Sequence, residues 1–172
     1  MTAIPQQRRG RSIAMTPAEL DRFLAEIRTC RVATMSPEGP HVAPLWFAWS
    51  CGAIWLSSLV RSQRWTDVVR DPRVAVVVDA GQDYGELRGA EIRGMAEPVG
   101  EVPRRGTADV RLAEPERLFA DKYGGGTMGH DGRHGWLRIT PTKITSWDFR
   151  KLPPERRQPA NESAPEGPLP AG

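Results

Sequence analysis

The clearest chemistry in the sequence lies in the stretch Ser57–Arg64, which reads SSLVRSQR. This stretch leaves the end of a predicted strand and enters the N-terminus of a predicted helix. Two hydroxyls, two guanidinium groups and an amide meet the free N–H groups of the first helical turn there. Such N–H groups attract anions, and guanidinium groups bind phosphate through paired hydrogen bonds. The stretch therefore predicts an anion site, and a phosphate is the natural ligand.

A second interpretation of the same residues needs no ligand. Arg61 and Arg64 could pair with Asp67 and Asp71, which follow within the same predicted helix or at its end. The N-terminus of the helix would then be exposed to solvent and would bind no ligand. Residue chemistry alone favours neither interpretation.

An aromatic hairpin precedes the anion site. Its two strands contain Pro44-Leu45-Trp46-Phe47-Ala48-Trp49 and Ile54-Trp55-Leu56, and Cys51-Gly52 is the predicted tight turn. The two-residue period of a strand puts Trp46 and Phe47 on opposite faces. One face could therefore serve a planar ligand or a second subunit, and an apolar wall beside a phosphate site suits a phosphorylated planar cofactor.

Other familiar catalytic patterns are missing from the sequence. There is no GxSxG or GxGxxG motif, and the triple glycine at 124–126 follows a predicted helix instead of preceding one. His130 and His134 stand four apart, but they lie in a predicted loop without a cysteine or carboxylate cluster, so we expect no metal site. Cys30 and Cys51 lack CxxC spacing, as in an ordinary cytoplasmic protein. We therefore name no catalytic residue.

Length and composition predict one folded domain over residues 15–152 of the 172. Residues 153–172 hold six of the sixteen prolines and no aromatic or β-branched residue, so we expect a disordered tail. Residues 1–14 are expected to be a flexible leader. The sequence contains no apolar run long enough for a membrane span and no secretory signal, which favours a cytoplasmic protein without a membrane partner.

The basic character of the chain does not indicate a nucleic-acid partner. The net charge is +3 and the isoelectric point is near 9.2, but Arg8, Arg9 and Arg11 in the leader supply most of the excess. Residues 15–152 carry only +1, and their basic residues alternate with acidic ones. A nucleic-acid-binding face usually clusters its basic residues.

The elements that must position these residues are mostly strands. Thr16, Pro17 and Glu19 predict a capped helix that ends near Arg28. Two further helices are predicted over 62–70 and 107–123, with Pro115 as a candidate break.

Among the strands, Val74–Asp79 is predicted to be fully buried, and Pro141 is predicted to turn the chain between the last two strands. The predicted strands are 31–36, 42–50, 53–58, 74–79, 86–99, 136–140 and 143–149. Six or seven antiparallel strands with three helices indicate a mainly β fold, closed as a small barrel or packed as a sandwich.

Three motifs together resemble a known family. They are Arg61-Ser62-Gln63-Arg64, then Arg70-Asp71-Pro72-Arg73-Val74, and the closing run SWDFRKL from Ser146 to Leu152. The chain resembles, from about residue 16 to 152, the flavin and deazaflavin oxidoreductases of the pyridoxamine 5'-phosphate oxidase-like superfamily. The branch that uses coenzyme F420 is the most similar. The resemblance implies an FMN-binding split β-barrel and an obligate homodimer with a cofactor in each of two interface grooves.

The resemblance also implies the site residues. Arg64 would grip the cofactor phosphate with Arg61 and Gln63 beside it, while Ser57 and Ser58 line the ring. The preceding strand would lie against the ring, Tyr84 would arrive from the other subunit, and Trp147 would close the groove. The strand residues concerned are Val42, Pro44, Leu45 and Trp46.

The implied function is an oxidoreductase that binds F420 and transfers hydride to an unsaturated small-molecule substrate. Many relatives carry lysine in place of Arg64, and Asp67 makes the groove less basic than theirs. A less basic groove would hold an acidic polyglutamate tail less tightly, so an FMN-dependent oxidase or reductase is the first alternative. The second is a non-catalytic cofactor- or haem-binding protein. The arginine-rich C-terminal motif of true pyridoxamine-phosphate oxidases is missing, so we do not expect the vitamin B6 reaction.

Overall fold

The computed structural model describes residue 7 and residues 10–157. The predicted flexible leader and disordered tail therefore lie largely outside the described residues, and both stay predictions. The described ends include single 3-10 turns at Arg11–Ile13 and Pro154–Arg156. Across this described part of the chain, no helix combines the length and the apolar character needed to cross a membrane.

Seven antiparallel strands and three α-helices make up the regular structure of the described residues, which confirms the mainly β class. The helices are α1 (Pro17–Glu26), α2 (Gln63–Arg70) and α3 (Val110–Tyr123). The strands are β1 (Thr29–Ser36), β2 (Gly39–Trp46), β3 (Ala48–Ser50), β4 (Ala53–Leu59), β5 (Arg73–Ala80), β6 (Arg88–Val99) and β7 (His134–Asp148).

The strands form one sheet in the order β2-β1-β5-β6-β7-β4-β3. The sheet curls until β2 at one edge also contacts β4 near the other, which makes a half-barrel. The predicted split-barrel class is thus confirmed for the single chain. The homodimer stays a prediction, because the structure is that of one chain.

Helix α1 begins as the sequence predicts. The Thr16 hydroxyl accepts a hydrogen bond from the Glu19 N–H at 3.3 Å, and the Glu19 carboxylate accepts one from the Thr16 N–H at 2.7 Å. This capping box satisfies two N–H groups that have no partner within the helix. The helix then places Phe23 and Leu24, both fully buried, against the interior of the half-barrel.

Strand β4 is buried on both faces, unlike the other long strands. Ile54 and Leu56 join the main core inside the half-barrel, while Ala53 and Trp55 join a second core under α3. The second core is completed by Leu112 of α3 and by residues of β6 and β7. Helix α3 therefore covers the outer face of β4 and holds one side of the site described below.

Two predicted strand boundaries are wrong. The run 42–50 is two strands, β2 and β3, separated at the fully buried Phe47. The predicted turn at Pro141 does not exist, because β7 continues through it as one strand. A bulge accommodates the proline: Arg93 pairs with Lys143 and Gly94 with Pro141, so Thr142 has no opposite residue. Proline is tolerated at such bulges, where no ladder N–H is needed.

Two further expectations are corrected. Strand β5 is buried on one face only, since Val74, Val76 and Val78 are buried while Ala75 and Val77 are half-buried. The prediction from its continuous apolar run, that both faces of the strand are buried, is therefore wrong. Helix α3 starts at Val110, three residues later than predicted, and runs unbroken through Pro115.

We expect Gly89→Ala to lower the free energy of unfolding by about 1–3 kcal/mol through overpacking. A Cβ at Gly89 would lie 2.4 Å from Cζ2 of Trp147 and 2.8 Å from the Val78 carbonyl oxygen. Urea unfolding measures the change. Gly124→Ala is the matched control, because its Cβ would meet no atom closer than 3.5 Å. Equal effects of the two substitutions would contradict the close packing of Trp147 over Gly89.

Candidate functional site

The candidate site is a groove of about 850 Å³ at the end of β2. Four residues assigned to the cofactor by resemblance line it: Pro44, Leu45 and Trp46 from β2, and Ser57 from β4. The other lining residues come from the start of β1, from α3 and the segment before it, and from the start of β7 with its preceding loop. The pairing of β4 with β7 brings these segments together, since Ser57 lies opposite Trp136 and Leu59 lies opposite His134.

One wall of the groove is aromatic. Trp46 stacks on Tyr123 with 4.6 Å between ring centroids and 7° between ring planes. Phe119 lies 4.6 Å from Tyr123 and meets Trp136 edge-on at 5.5 Å. Trp46 is nevertheless 53% exposed, so a large part of its surface faces the groove or solvent. A flat aromatic wall of this kind suits a planar ring.

Buried polar groups fix the aromatic wall from behind. The Tyr123 hydroxyl lies 2.6 Å from the Arg28 carbonyl oxygen and accepts a hydrogen bond from the Phe47 N–H at 3.1 Å. The neighbouring Lys122 ammonium donates to the carbonyl oxygen of Leu24 at 3.1 Å. Burial lowers the pKa of Lys122 to about 8 and raises the pKa of Tyr123 to about 12.

The opposite wall carries ionisable side chains. His134 Nδ1 lies 2.7 Å from a carboxylate oxygen of Asp131. The other oxygen of Asp131 accepts hydrogen bonds from the N–H groups of Arg133 and His134 at 2.8 and 3.0 Å. The bond from the Arg133 N–H is the main reason that the pKa of Asp131 falls to about 2. Asp131 is therefore a carboxylate at neutral pH.

A second polar cluster, centred on Glu116 of α3, supports this wall. Glu116 accepts hydrogen bonds from Arg104 Nε at 2.7 Å and Trp136 Nε1 at 3.0 Å, and it lies 3.2 Å from His130 Nε2. Burial alone would raise the pKa of Glu116, but these donors hold it below its ordinary value. His130 and His134 thus face different carboxylates, and the described residues contain no cluster of three potential metal ligands.

The predicted anion site lies at the start of α2. Ser62 caps the helix, with its hydroxyl accepting from the Trp65 N–H at 3.3 Å. Arg64 is buried and donates through Nη2 to the Ser58 hydroxyl at 3.0 Å, while its Nε is buried without a partner in the described structure. Burial lowers the pKa of Arg64. A buried guanidinium with an unused donor fits a site that receives an anion.

The interpretation in which Arg61 and Arg64 pair with acidic residues is wrong. Asp67 lies 3.5 Å from Arg70, and Asp71 binds Arg73 at 2.6 Å. Among the described residues, neither Arg61 nor Arg64 forms an ion pair. The carboxylates of the helix are thus engaged elsewhere and do not neutralise its N-terminus.

A second cavity of about 650 Å³ contains Arg61, Ser62, Arg105 and Arg133. We call it the arginine cavity. In the described part of the chain no acceptor is assigned to any of its three guanidinium groups. It adjoins the groove, because Arg104 and His134 line the groove while their neighbours Arg105 and Arg133 line the arginine cavity. A backbone hydrogen bond of 2.7 Å from Arg104 to His134 joins the two segments.

Besides Tyr84 and Trp147, four residues of the predicted set line neither cavity: Val42, Ser58, Gln63 and Arg64. The Gln63 amide donates to the buried Asp67 carboxylate at 2.8 Å, which also accepts from the Thr34 hydroxyl at 2.9 Å. Gln63 therefore helps to anchor α2 on β1. Val42 does not line the groove, but it is exposed on the same face of β2 as Pro44 and Trp46.

Tyr84 and Trp147 do not line the groove of the described chain. Tyr84 packs edge-on against Phe149 at 5.0 Å, and Trp147 covers Gly89. Trp147 follows Trp136, which lines the groove, by eleven positions on β7. Their predicted roles at a groove therefore require a second subunit and stay predictions.

Several residues of the groove were not predicted from the sequence. Phe119 and Trp136 of the aromatic wall were not singled out, nor were Arg104 and Asp131 among the ionisable residues. For the ionisable residues, the four-residue spacing of the two histidines was the one available signal. Their positions depend on the pairing of β4 with β7, which is remote in sequence.

Comparison with known proteins places this geometry in a family. The model of the pyridoxamine 5'-phosphate oxidase family matches residues 16–148, and the chain belongs to this family. The resemblance noted in the sequence is thereby confirmed. No curated protein sequence matches the chain.

Several solved structures share the fold. A conserved hypothetical protein from Mycobacterium tuberculosis is 31% identical, with 86% of this chain and 92% of that chain covered and a TM-score of 0.72. A structure described as an F420 reductase is 24% identical, with coverages of 73% and 94% and a TM-score of 0.55. An FAD-binding protein from Mycobacterium smegmatis is 19% identical, with coverages of 79% and 98% and a TM-score of 0.59.

The buried Lys122 gives a pH-dependent prediction. Its pKa falls from 10.5 to about 8 on folding, so between these values the unfolded chain binds more protons and stability rises with pH. We expect the unfolding free energy of the wild type to rise relative to Lys122→Met from pH 8 to 10.5. Urea unfolding at several pH values measures it, with the exposed Lys143→Met as control. A difference that stays constant across this range would contradict the burial of the ammonium group.

Proposed function

We propose that this protein is an oxidoreductase that binds coenzyme F420 and transfers hydride to an unsaturated organic substrate. The observation that carries the proposal is the junction of two cavities. An aromatic-walled groove suited to a planar ring adjoins an arginine cavity whose three guanidinium groups form no ion pair within 4 Å among the described residues.

The ring of the cofactor belongs in the groove. Trp46 and Phe119 offer aromatic surface there, while Pro44 and Ser57 offer a strand edge and a hydroxyl. The groove volume of about 850 Å³ is within the range of small-molecule sites. The resemblance assigns Pro44, Trp46 and Ser57 to the same task.

The phosphate belongs at the start of α2, where Arg64 has an unused buried donor. Arg61 and the first-turn N–H groups of the helix supply further donors. Each charge-assisted hydrogen bond contributes about 1.5–3 kcal/mol, so a few of them suffice to hold the phosphate.

The choice of F420 over FMN rests on Arg105 and Arg133. An acidic tail beyond the phosphate would give these two guanidinium groups partners, whereas FMN ends at its phosphate and would leave them unpaired. The similar structures described as an F420 reductase and as an FAD-binding protein support a flavin-type ligand in this fold. FMN is the competing cofactor, and a carrier without turnover is the competing function.

The cofactor, when bound, supplies the hydride chemistry. The residues of this chain bind and orient it: the aromatic wall fixes the plane of the ring, and the arginines fix its charged end. They also exclude water from one face of the ring, because Trp46, Phe119 and Trp136 leave no polar atom on that wall except indole N–H groups.

Parallel fluorescence titrations with F420 and FMN test the proposal. Tight binding of F420, followed by oxidation of reduced F420 in the presence of enones or quinones, would support it. Tight binding of FMN alone would indicate that the protein is a flavin oxidase or reductase. Tight binding without turnover on any enone, quinone or tetrapyrrole would indicate a carrier, and binding of neither cofactor would refute the proposal.

We expect Arg64→Ala to weaken F420 binding about ten- to a hundredfold, because charge-assisted bonds to the phosphate are lost. Arg64→Lys should retain much of the affinity. Thermal melts establish that each variant is folded. Arg117→Ala removes an exposed arginine that is paired on α3 and serves as the matched control. Unchanged affinity in folded Arg64→Ala would contradict the assignment of the phosphate.

The double variant Arg105→Ala/Arg133→Ala separates the two cofactors. We expect it to weaken F420 binding at least about tenfold, with a smaller dependence on salt, because the partners of the acidic tail are gone. FMN binding should stay within about twofold. Titrations at two ionic strengths measure both effects, and equal losses for F420 and FMN would refute an acidic tail in the arginine cavity.

A further inference from the structure

We infer that His134, held by Asp131, is the general acid that protonates the substrate bound in the groove. This inference rests on the proposed function and adds a proton donor to it. It begins from the His134–Asp131 pair, whose two members both line the groove opposite the aromatic wall.

The pair has the geometry of an oriented acid. One carboxylate oxygen of Asp131 accepts hydrogen bonds from two backbone N–H groups, and the other oxygen contacts His134 Nδ1. The carboxylate is therefore fixed and ionised. A carboxylate at Nδ1 keeps a proton on that nitrogen and fixes the orientation of the ring. Nε2 has no protein partner among the described residues and is the atom available to a ligand.

His130, the other histidine of the groove, is not arranged in this way. Its Nε2 lies 3.2 Å from Glu116, which also binds Arg104 and Trp136. Its Nδ1 lies close to Gly106, where an added Cβ would be 3.2 Å away. The nitrogen of His130 that corresponds to the open Nε2 of His134 is thus engaged by a carboxylate, and His130 supports the wall of the groove.

The chemistry of an enone reduction balances with His134 as donor. When bound, the reduced cofactor would supply a hydride that forms a C–H bond at the β-carbon, while the π bond of C=C breaks and its electron pair becomes an enolate. The N–H bond at Nε2 then breaks, its proton forms the second new C–H bond at the α-carbon, and the electron pair stays on the imidazole. The substrate is reduced by two electrons and the cofactor is oxidised. His134, whose side chain is 40% exposed, regains its proton from solvent.

The first experiment tests the position of His134 without turnover. The wild-type protein is treated with diethylpyrocarbonate, and modification of each histidine is followed by peptide mass spectrometry. Oxidised F420 with 2-cyclohexen-1-one forms a complex that cannot react, and we expect it to slow modification of His134 at least about tenfold. His41 on β2 lies outside the groove and is the internal reference. Bound F420 without protection of His134 would overturn the inference and leave the proposed function standing.

The second experiment tests the proton transfer. With reduced F420 and 2-cyclohexen-1-one, we expect His134→Ala to lower kcat about a hundredfold or more, and Asp131→Asn to lower it less. The Kd for F420 should stay within about threefold in both variants. Added imidazole should restore part of the activity of His134→Ala, which loss of a purely structural contact would not allow.

The outcomes separate the two proposals. Failure of the wild type to bind F420 would refute the proposed function and this inference together. Binding of F420 without any oxidation of the reduced cofactor by the enone, or with full activity in His134→Ala, would refute the general acid alone.

Discussion

The pairing of β4 with β7 is the constraint on which the rest of the structure depends. It joins the second strand of the aromatic hairpin to a strand that starts after α3, and it places Ser57 opposite Trp136. Because β4 is buried on both faces, it belongs at once to the core inside the half-barrel and to the core under α3. A change on either face of β4 therefore affects the groove as well as the stability of the fold.

Local sequence signals predicted the elements well where the deciding interactions are local. The capping box of α1 was readable because it involves residues within one helical turn. The strand total was also right, although Phe47 divides one predicted strand and Pro141 fails to divide another. Those two errors share a cause: burial of Phe47 and the bulge opposite Gly94 are set by neighbours in space.

The candidate site was predicted in part for the same reason. Pro44, Trp46 and Ser57 came from contiguous motifs and do line one groove. Asp131 and Arg104 were not predicted, because only the folded sheet and the backbone hydrogen bond from Arg104 to His134 bring their segments together. Tyr84 and Trp147 do not line the groove of the described chain, so resemblance alone gives them a role.

The division of neighbouring residues between the two cavities has a consequence for the length of the loop that carries them. Arg104 and His134 line the groove, while Arg105 and Arg133 line the arginine cavity. Inserting one residue just before Arg133 would move Arg133 to the place of His134, so that a guanidinium would replace the imidazole in the groove. A change in loop length here therefore alters both cavities together, whereas a substitution at one of these positions changes one cavity at a time.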